Sequence, residues 1–256
     1  MSIFNKALAS IGLGAAKVDT KLEKSSYVAG ETVRGIVEIK GGNVEQDIAT
    51  IYLTVYTTYI REANDKKYTD SAAINKVQVC SPFSIKANEG KSIPFSFELS
   101  LDTPVTMGKT KVWIQTGVDI KNAVDPTDKD FIEVKPTNIA TRVLNEMTNL
   151  GFRLRKVDCE KASLKIRSHF PFVQEFEFAP TSGTYRSHLD ELEIVFLSQA
   201  QNSAELLIQI DRKVRGLGSL FAEALDMDES YVRMTITAQD LPHLNTKLSQ
   251  AIAKHL

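Results

Sequence analysis

The chain has 256 residues, which is enough for one large domain or two β-sandwich domains of ordinary size. Its 31 Lys and Arg residues nearly balance 32 Asp and Glu residues, so no overall positive charge favours nucleic acid or anionic lipid as a partner. The two cysteines, Cys80 and Cys159, lie far apart and outside any CxxC or Cys/His cluster, so they indicate reduced cytoplasmic thiols rather than a disulfide framework or a zinc site.

Residues 1–17 are predicted to form a short amphipathic helix, since apolar side chains recur there at helical spacing. The candidate docking residues on this stripe are Ile3, Phe4, Leu8 and Ile11. A signal peptide is a poorer interpretation because Lys6 interrupts the apolar stretch, and no apolar run reaches the roughly 18 residues that a membrane-spanning helix needs. We expect the helix to dock on the protein's own fold or on a partner subunit. The alternative is that it lies in a membrane interface.

Residues 18–136 are predicted to form an N-terminal β-sandwich, because apolar and polar side chains alternate along most of this region. The clearest strand covers residues 92–101, where the apolar positions are Ile93, Phe95, Phe97 and Leu99. Pro94 lies on its polar side and indicates an edge strand or a strand start. Further strands are predicted at 32–40, 47–60, 75–85 and 110–120. Several short strands separated by turn sequences are typical of a β-sandwich.

Residues 137–151 are predicted to form a helical, hinge-like connection between two domains. After Pro136, apolar residues recur on one helical stripe: Ile139, Val143, Leu144, Met147 and Leu150. Gly151 suits the end of this helix, because glycine readily adopts the left-handed conformation that often follows a helix C-terminus. The change from strand to helix character places the domain boundary near residue 136.

Residues 152–256 are predicted to form a second, mostly β domain with a closing helix. Strand patterns occur at 162–168, 173–178, 190–197, 204–211 and 230–238. Two helices are predicted, at 219–226 and 241–256, and Asp240 is placed to cap the second. The apolar stripe of that closing helix is Leu244, Leu248, Ala251, Ile252 and Leu256. The sequence thus predicts an all-β protein of two β-sandwich domains with a few short helices.

No catalytic, metal or cofactor motif is recognisable, so we predict a non-enzymatic protein without a cofactor. No GxSxG elbow marks a nucleophile, and Gly216 and Gly218 lack the third glycine and the Lys-Ser or Lys-Thr pair of phosphate-binding loops. The four histidines show no metal-ligand spacing. Two acidic segments, 119–130 and 226–230, match a calcium loop only in part, because each lacks the glycine at the bend.

Two groups of opposite charge are the main polar candidates. The acidic group is Asp119, Asp125, Asp128 and Asp130, and the basic group is Arg212, Lys213 and Arg215. We interpret them as a candidate polar contact between the domains, which would fix the interdomain orientation. The alternative is that each is a solvated loop charge that contributes little. A third interpretation makes Asp125 and Asp128 an acid–base pair in the cleft of a hydrolytic or small-molecule-binding sandwich.

A family resemblance rests first on the segment 27–40. Its matching residues are Tyr27, Gly30, Glu31, Val33, Gly35 and Val37, which resemble the first-domain strand signature of arrestin-like proteins. Together with 8–23, 123–136 and 205–230, they make the chain similar, over essentially its whole length, to bacterial sporulation-control proteins of the arrestin-like family, the stage-zero M type. The resemblance implies two arrestin-like β-sandwich domains joined by a hinge, a bacterial cytoplasmic location and a regulatory role.

We therefore expect a cytoplasmic adaptor that binds regulatory or cytoskeletal proteins in sporulation or in a related developmental or stress response. Exposed strand edges of such a fold can accept an extended segment of a partner. A homodimer through the terminal helices is a further hypothesis, and nucleic acid is not expected as a partner. The alternatives are a peripheral membrane scaffold and, less favoured, a small-molecule-binding or hydrolytic protein.

Overall fold

A computed structural model describes residues 15–64, 66–120, 125–162, 169–212 and 229–256. The described residues form two compact units. The first unit lies within Met1–Thr58, Ser71–Thr103 and Lys111–Lys135, and the second lies within Tyr59–Asp70, Pro104–Thr110 and Pro136–Leu256. Strands dominate both units, so the prediction of an all-β fold is confirmed.

The strands up to residue 135 include those predicted at 32–40, 47–60, 92–101 and 110–120, whereas the strand predicted at 75–85 is divided between two strands. The strands of this region are β1 (Lys17–Leu22), β2 (Ser26–Val28), β3 (Thr32–Lys40), β4 (Gln46–Ala63), β5 (Lys66–Cys80), β6 (Phe83–Ile85), β7 (Gly90–Glu98), β8 (Val112–Ile120) and β9 (Thr127–Lys135). The structure gives β3 the bounds that its alternation predicts. It also gives strand conformation to Lys17, which the sequence placed at the end of the N-terminal helix; residues 1–14 of that helix lie outside the described residues.

The first unit is a sandwich of two sheets around an apolar core. One sheet has the order β1-β3-β7, and the other includes β4-β8-β9-β2, with β5 and β6 also pairing with β4. Val37 of the first sheet and Ile51 and Ile114 of the second are fully buried in one core cluster, and each such side chain stabilises the fold by roughly 1.5–3 kcal/mol. Strand β7 lies at a sheet edge, so the edge strand predicted from Pro94 is confirmed.

The second unit combines an antiparallel sheet with helices. Its strands are β10 (Phe152–Lys161), β11 (Phe172–Pro180), β12 (Leu189–Ala200), β13 (Ser203–Arg212) and β14 (Glu229–Thr237), and its α-helices are α1 (Asn138–Asn149), α2 (Gly183–His188) and α3 (Leu244–Ala253). The strands pair in the order β10-β11-β12-β13-β14. Apolar residues of α1 and α3 share one core cluster with this sheet. Within the described residues, both helices therefore pack against this sheet.

Strand β10 was not predicted from the sequence. A register shift between Leu154 and Lys156 interrupts the period of two, and charged residues fill much of the strand, so the alternation that marks a strand is lost. Of the predicted strand at 162–168, only residue 162 is among the described residues. The predicted helix at 219–226 lies entirely outside them.

Helix α1 belongs to the second unit rather than forming a separate hinge. The Thr137 hydroxyl accepts a hydrogen bond from the Ala140 amide at 3.2 Å and caps its start. Gly151 follows its end with a φ of 91°, as the sequence predicts. Val143 and Met147 of its apolar stripe are fully buried in the core of this unit, and that burial ties the helix to it.

Two short segments also differ from the predicted domain division at 136, because residues 59–70 and 104–110 fall in the second unit. Tyr59 stacks on Phe172 with ring centroids 5.8 Å apart. The side chain of Gln174 both donates to and accepts from the backbone of Val105, at 2.8 and 2.9 Å. Through these contacts, two segments that precede residue 136 in the sequence pack in the second unit.

The closing helix begins later than predicted. A 3-10 helix (Ala238–His243) precedes α3, and Pro242 lies within it, where it cannot donate the backbone hydrogen bond that an α-helix requires. The Asp240 carboxylate accepts from both the amide and the hydroxyl of Thr237 at 2.7 Å, so it caps the 3-10 helix instead of α3. Leu244, Leu248 and Ile252 are buried as predicted, whereas Leu256 is exposed.

Candidate functional site

The four aspartates of the predicted acidic group all lie in the first unit, on β8, on β9 or just before β9. Asp125 accepts a hydrogen bond from the Ile120 amide at 3.0 Å. Asp128 accepts from the amide of Thr20, on β1, at 2.7 Å, and Asp119 is exposed. The carboxylates of Asp125 and Asp128 therefore hold the backbone of their own unit in place.

Asp130 has a different environment, because its carboxylate is half-buried and one of its oxygens has no hydrogen-bond partner among the described residues. Burial, together with the neighbouring carboxylates of Asp128 and Asp19, raises the pKa of Asp130 to about 6. Burial without a counter-charge favours the neutral carboxyl group. The structure thus separates this aspartate from the other three, which the sequence did not distinguish.

The basic group is only partly described. Arg212 ends β13 in the second unit, whereas Lys213 and Arg215 lie outside the described residues. The polar contact between domains therefore stays a prediction. The candidate docking residues of the N-terminal helix, Ile3, Phe4, Leu8 and Ile11, also lie outside the described residues. At the other end of the chain, the apolar stripe of α3 packs into the core of its own unit.

One face of the sheet in the second unit is acidic, which the sequence analysis did not reveal, and Asp158 and Glu177 on this face are buried. We call it the acidic sheet face, and it consists of Asp158, Glu160, Glu175, Glu177, Glu191 and Glu193. These side chains alternate with core residues on β10, β11 and β12, so they lie on the sheet face opposite the core. The strand register places Glu177 directly opposite Glu193 and Asp158 opposite Glu175. Like charges in such cross-strand pairs are unfavourable.

Two neighbouring cations on β10 neutralise part of this face. Arg155 forms ion pairs with Glu177 at 2.7 Å and with Glu191 at 3.7 Å. Lys156 forms ion pairs with Asp158 at 3.2 Å and with Glu160 at 3.1 Å. The register shift between residues 154 and 156 lets these two consecutive side chains reach the same face.

The two remaining carboxylates, Glu175 and Glu193, have no ion pair among the described residues. Burial, followed by the repulsion of neighbouring carboxylates, raises the pKa of each to about 7. Both carboxyl groups therefore change between the protonated and the ionised form near neutral pH. The alternating glutamates in β11 are visible in the sequence, but their neighbours across the sheet depend on the register.

The described part of the chain shows neither a metal site nor a membrane-spanning helix. No group of three or more His, Cys, Asp or Glu side chains there is arranged to hold a metal ion. Among the same residues, none of the helices is both long enough and apolar enough to cross a membrane.

Comparisons with known proteins agree with one another. The family model for the SpoOM protein (Spo0M) matches residues 4–214. The sporulation-control protein Spo0M of Bacillus subtilis (strain 168) is 43% identical over 241 residues, which are 94% of this chain and 93% of that protein. A crystal structure of Spo0M from Bacillus subtilis superposes with a TM-score of 0.84 at 38% identity, and the match covers 95% of this chain and 100% of that one.

Proposed function

This chain belongs to the SpoOM protein family, and on that premise we propose that it is a non-enzymatic regulator of sporulation that acts in the cytoplasm by binding other proteins. The observation that carries the proposal is the 43% identity to a sporulation-control protein over 94% of the chain. A relationship of this extent, which includes both units, favours a shared role for the whole molecule rather than for one domain.

Binding rather than catalysis is supported by the character of the polar groups. Asp125 and Asp128, the pair considered for acid–base chemistry, both accept backbone hydrogen bonds within their own unit. A catalytic carboxylate must instead reach a proton of the substrate. The carboxylates of the acidic sheet face, by contrast, lie together on one face of a sheet, where such an arrangement suits recognition of a partner.

The test is complementation in Bacillus subtilis. A strain lacking its own sporulation-control protein receives the gene for this chain, and heat-resistant spores are counted. We expect the spore count to return to that of the parent strain, because the shared sequence covers both units. Failure to restore the count at a protein level equal to that of the restored native gene would contradict the proposal.

Two substitutions on α1 make the experiment specific for the folded protein. Val143→Asp introduces a charge at a fully buried position and should abolish complementation by unfolding the second unit. Arg142→Asp, at the exposed neighbouring position, should leave complementation intact. Cell fractionation of the same strains tests the cytoplasmic location, which recovery of the protein with the membranes would contradict.

A further inference from the structure

Three aromatic side chains form a row across the first unit. The strand register places Tyr56 of β4 opposite Trp113 of β8, and Trp113 opposite Phe131 of β9. The rings of Tyr56 and Trp113 are stacked with centroids 5.5 Å apart, and those of Trp113 and Phe131 are tilted with centroids 6.0 Å apart. These residues alternate with buried core residues, so the row lies on the outer face of the sheet.

The row is open to solvent at one end. Phe131 is 56% exposed, so more than half of this apolar side chain remains in contact with water. Gly117 lies on the same face of β8, and a Cβ atom added to it would have nothing within 4 Å. Exposed aromatic rings beside open space are typical of surfaces that bind another molecule.

Two lysines lie over aromatic rings of this face. The Lys129 ammonium is 3.9 Å from the ring centre of Trp113 and 4.8 Å from that of Phe131. The Lys76 ammonium is 3.8 Å from the ring centre of Tyr52. Neither lysine has an ion pair with any described residue. Positive charge that is held over apolar rings by cation–π contacts and lacks a carboxylate is complementary to an acidic partner.

Trp113 supplies an independent observation. Its side chain is only 5% exposed, and its indole N–H is buried without a hydrogen-bond acceptor among the described residues. Buried N–H groups nearly always have an acceptor, because leaving one unpaired is unfavourable. An acceptor supplied by a partner would satisfy this group.

We propose that this aromatic–lysine face, made of Tyr52, Tyr56, Lys76, Trp113, Lys129 and Phe131, binds an extended acidic segment of a partner protein. Carboxylates of the segment pair with Lys76 and Lys129, and its apolar side chains contact Phe131. A segment in which acidic and apolar residues alternate presents both kinds of side chain along an extended backbone. This inference names a partner chemistry for the proposed regulatory role, and it rests on that role for its biological setting.

The test uses Trp113, the single tryptophan of the chain, as its own reporter. The purified full-length protein is titrated with an end-capped peptide of about eight residues in which glutamate and valine alternate, and tryptophan fluorescence is recorded. We expect a saturable change that weakens as salt is added, because charge pairs at an exposed site are screened. A peptide with glutamine in place of glutamate should give no saturable change.

Two charge reversals in the same unit provide the matched comparison. Lys129→Glu should weaken binding of the acidic peptide by about tenfold or more, because it replaces attraction with repulsion. Lys40→Glu makes the same change in net charge at an exposed position of the other sheet, and it should alter the dissociation constant by less than about twofold. Equal affinities of the two variants, or no saturable response of the unaltered protein, would overturn the inference.

Two other occupants of this face, a lipid surface and a second copy of the chain, would give different experimental results. Vesicles of phosphatidylglycerol and phosphatidylcholine that change the Trp113 signal, when the acidic peptide does not, would assign the face to a lipid surface. Self-association in sedimentation experiments that is lost in Lys129→Glu but kept in Lys40→Glu would assign it to a second copy of the chain. Either result overturns the proposal of an acidic partner segment.

The peptide assay needs no sporulating cell, so its failure and the failure of the proposed function can be told apart. Absence of peptide binding together with full complementation overturns only the partner chemistry. Peptide binding that depends on Lys129, together with failed complementation, supports the surface and contradicts the role in sporulation.

Discussion

The outer sheet faces of the two units contrast sharply although their core faces are alike. Both cores consist of aliphatic and aromatic side chains from alternate strand positions. The outer face of the first unit has stacked rings with lysines above them, whereas that of the second unit has six carboxylates on three adjacent strands. The core face has to exclude water in both units, while the outer face is free to differ in chemistry.

The largest expected effect compares a core ring with an outer ring. Phe178 of β11 is 1% exposed, so Phe178→Ala should lower the free energy of unfolding by about 3–5 kcal/mol, through lost burial and the cavity that remains. Phe131→Ala, on the outer face of the first unit, should change it by less than about 0.5 kcal/mol. Urea denaturation of both variants measures the difference. Similar losses in the two would show that Phe131 is part of a core.

The acidic sheet face should make the second unit sensitive to pH. The pKa of Glu175 is raised to about 7 from its ordinary value of 4.5, so its contribution to stability is fully present below pH 4.5 and is lost as the pH rises through 7. Glu175→Gln keeps the side chain neutral. The gain in the free energy of unfolding from this substitution should therefore be about 1–2 kcal/mol larger at pH 8.5 than at pH 4.5. This range includes a reduction for solvent screening.

Thermal or urea unfolding at the two pH values measures that difference. Glu205→Gln is the matched control, because Arg233 pairs with Glu205 at 2.6 Å and lowers the pKa of its carboxylate. The control variant should not gain stability at high pH. A pH profile of Glu175→Gln that runs parallel to that of the unaltered protein would show that Glu175 ionises normally.

Asp130 offers a smaller version of the same effect in the first unit. Its pKa is raised to about 6 from 3.8, so its contribution is fully present below pH 3.8 and is lost as the pH rises through 6. Because the carboxyl group is only half-buried, solvent screening reduces the effect, and the gain in stability from Asp130→Asn should be only about 0.5 kcal/mol larger at pH 8 than at pH 4. Asp119→Asn, at an exposed position on the adjacent strand, is the control. A gain from Asp130→Asn as large as that from Glu175→Gln would remove the contrast between the units.

Much of the local structure follows from the sequence. Alternation across residues 32–40 predicts β3 with the bounds that the structure shows, and the stripe of Ile139, Val143 and Met147 predicts α1. Both signals are local, because a side chain's direction in a strand or helix is set by the backbone geometry of its own element. The sequence shows the acidic group. It does not show that Asp125 and Asp128 accept backbone hydrogen bonds while Asp130 is half-buried.

What the sequence by itself determined is the all-β character, the helix after residue 136 and the buried stripe of the closing helix. Tertiary structure alone decided that helices cover the sheet of the second unit, that residues 104–110 pack there, and which side chains become neighbours across strands. The pairing of Glu177 with Glu193 and the row from Tyr56 to Phe131 exist only in one register. Alternation repeats every two residues, so it fixes which face a side chain occupies but not its partner on the next strand.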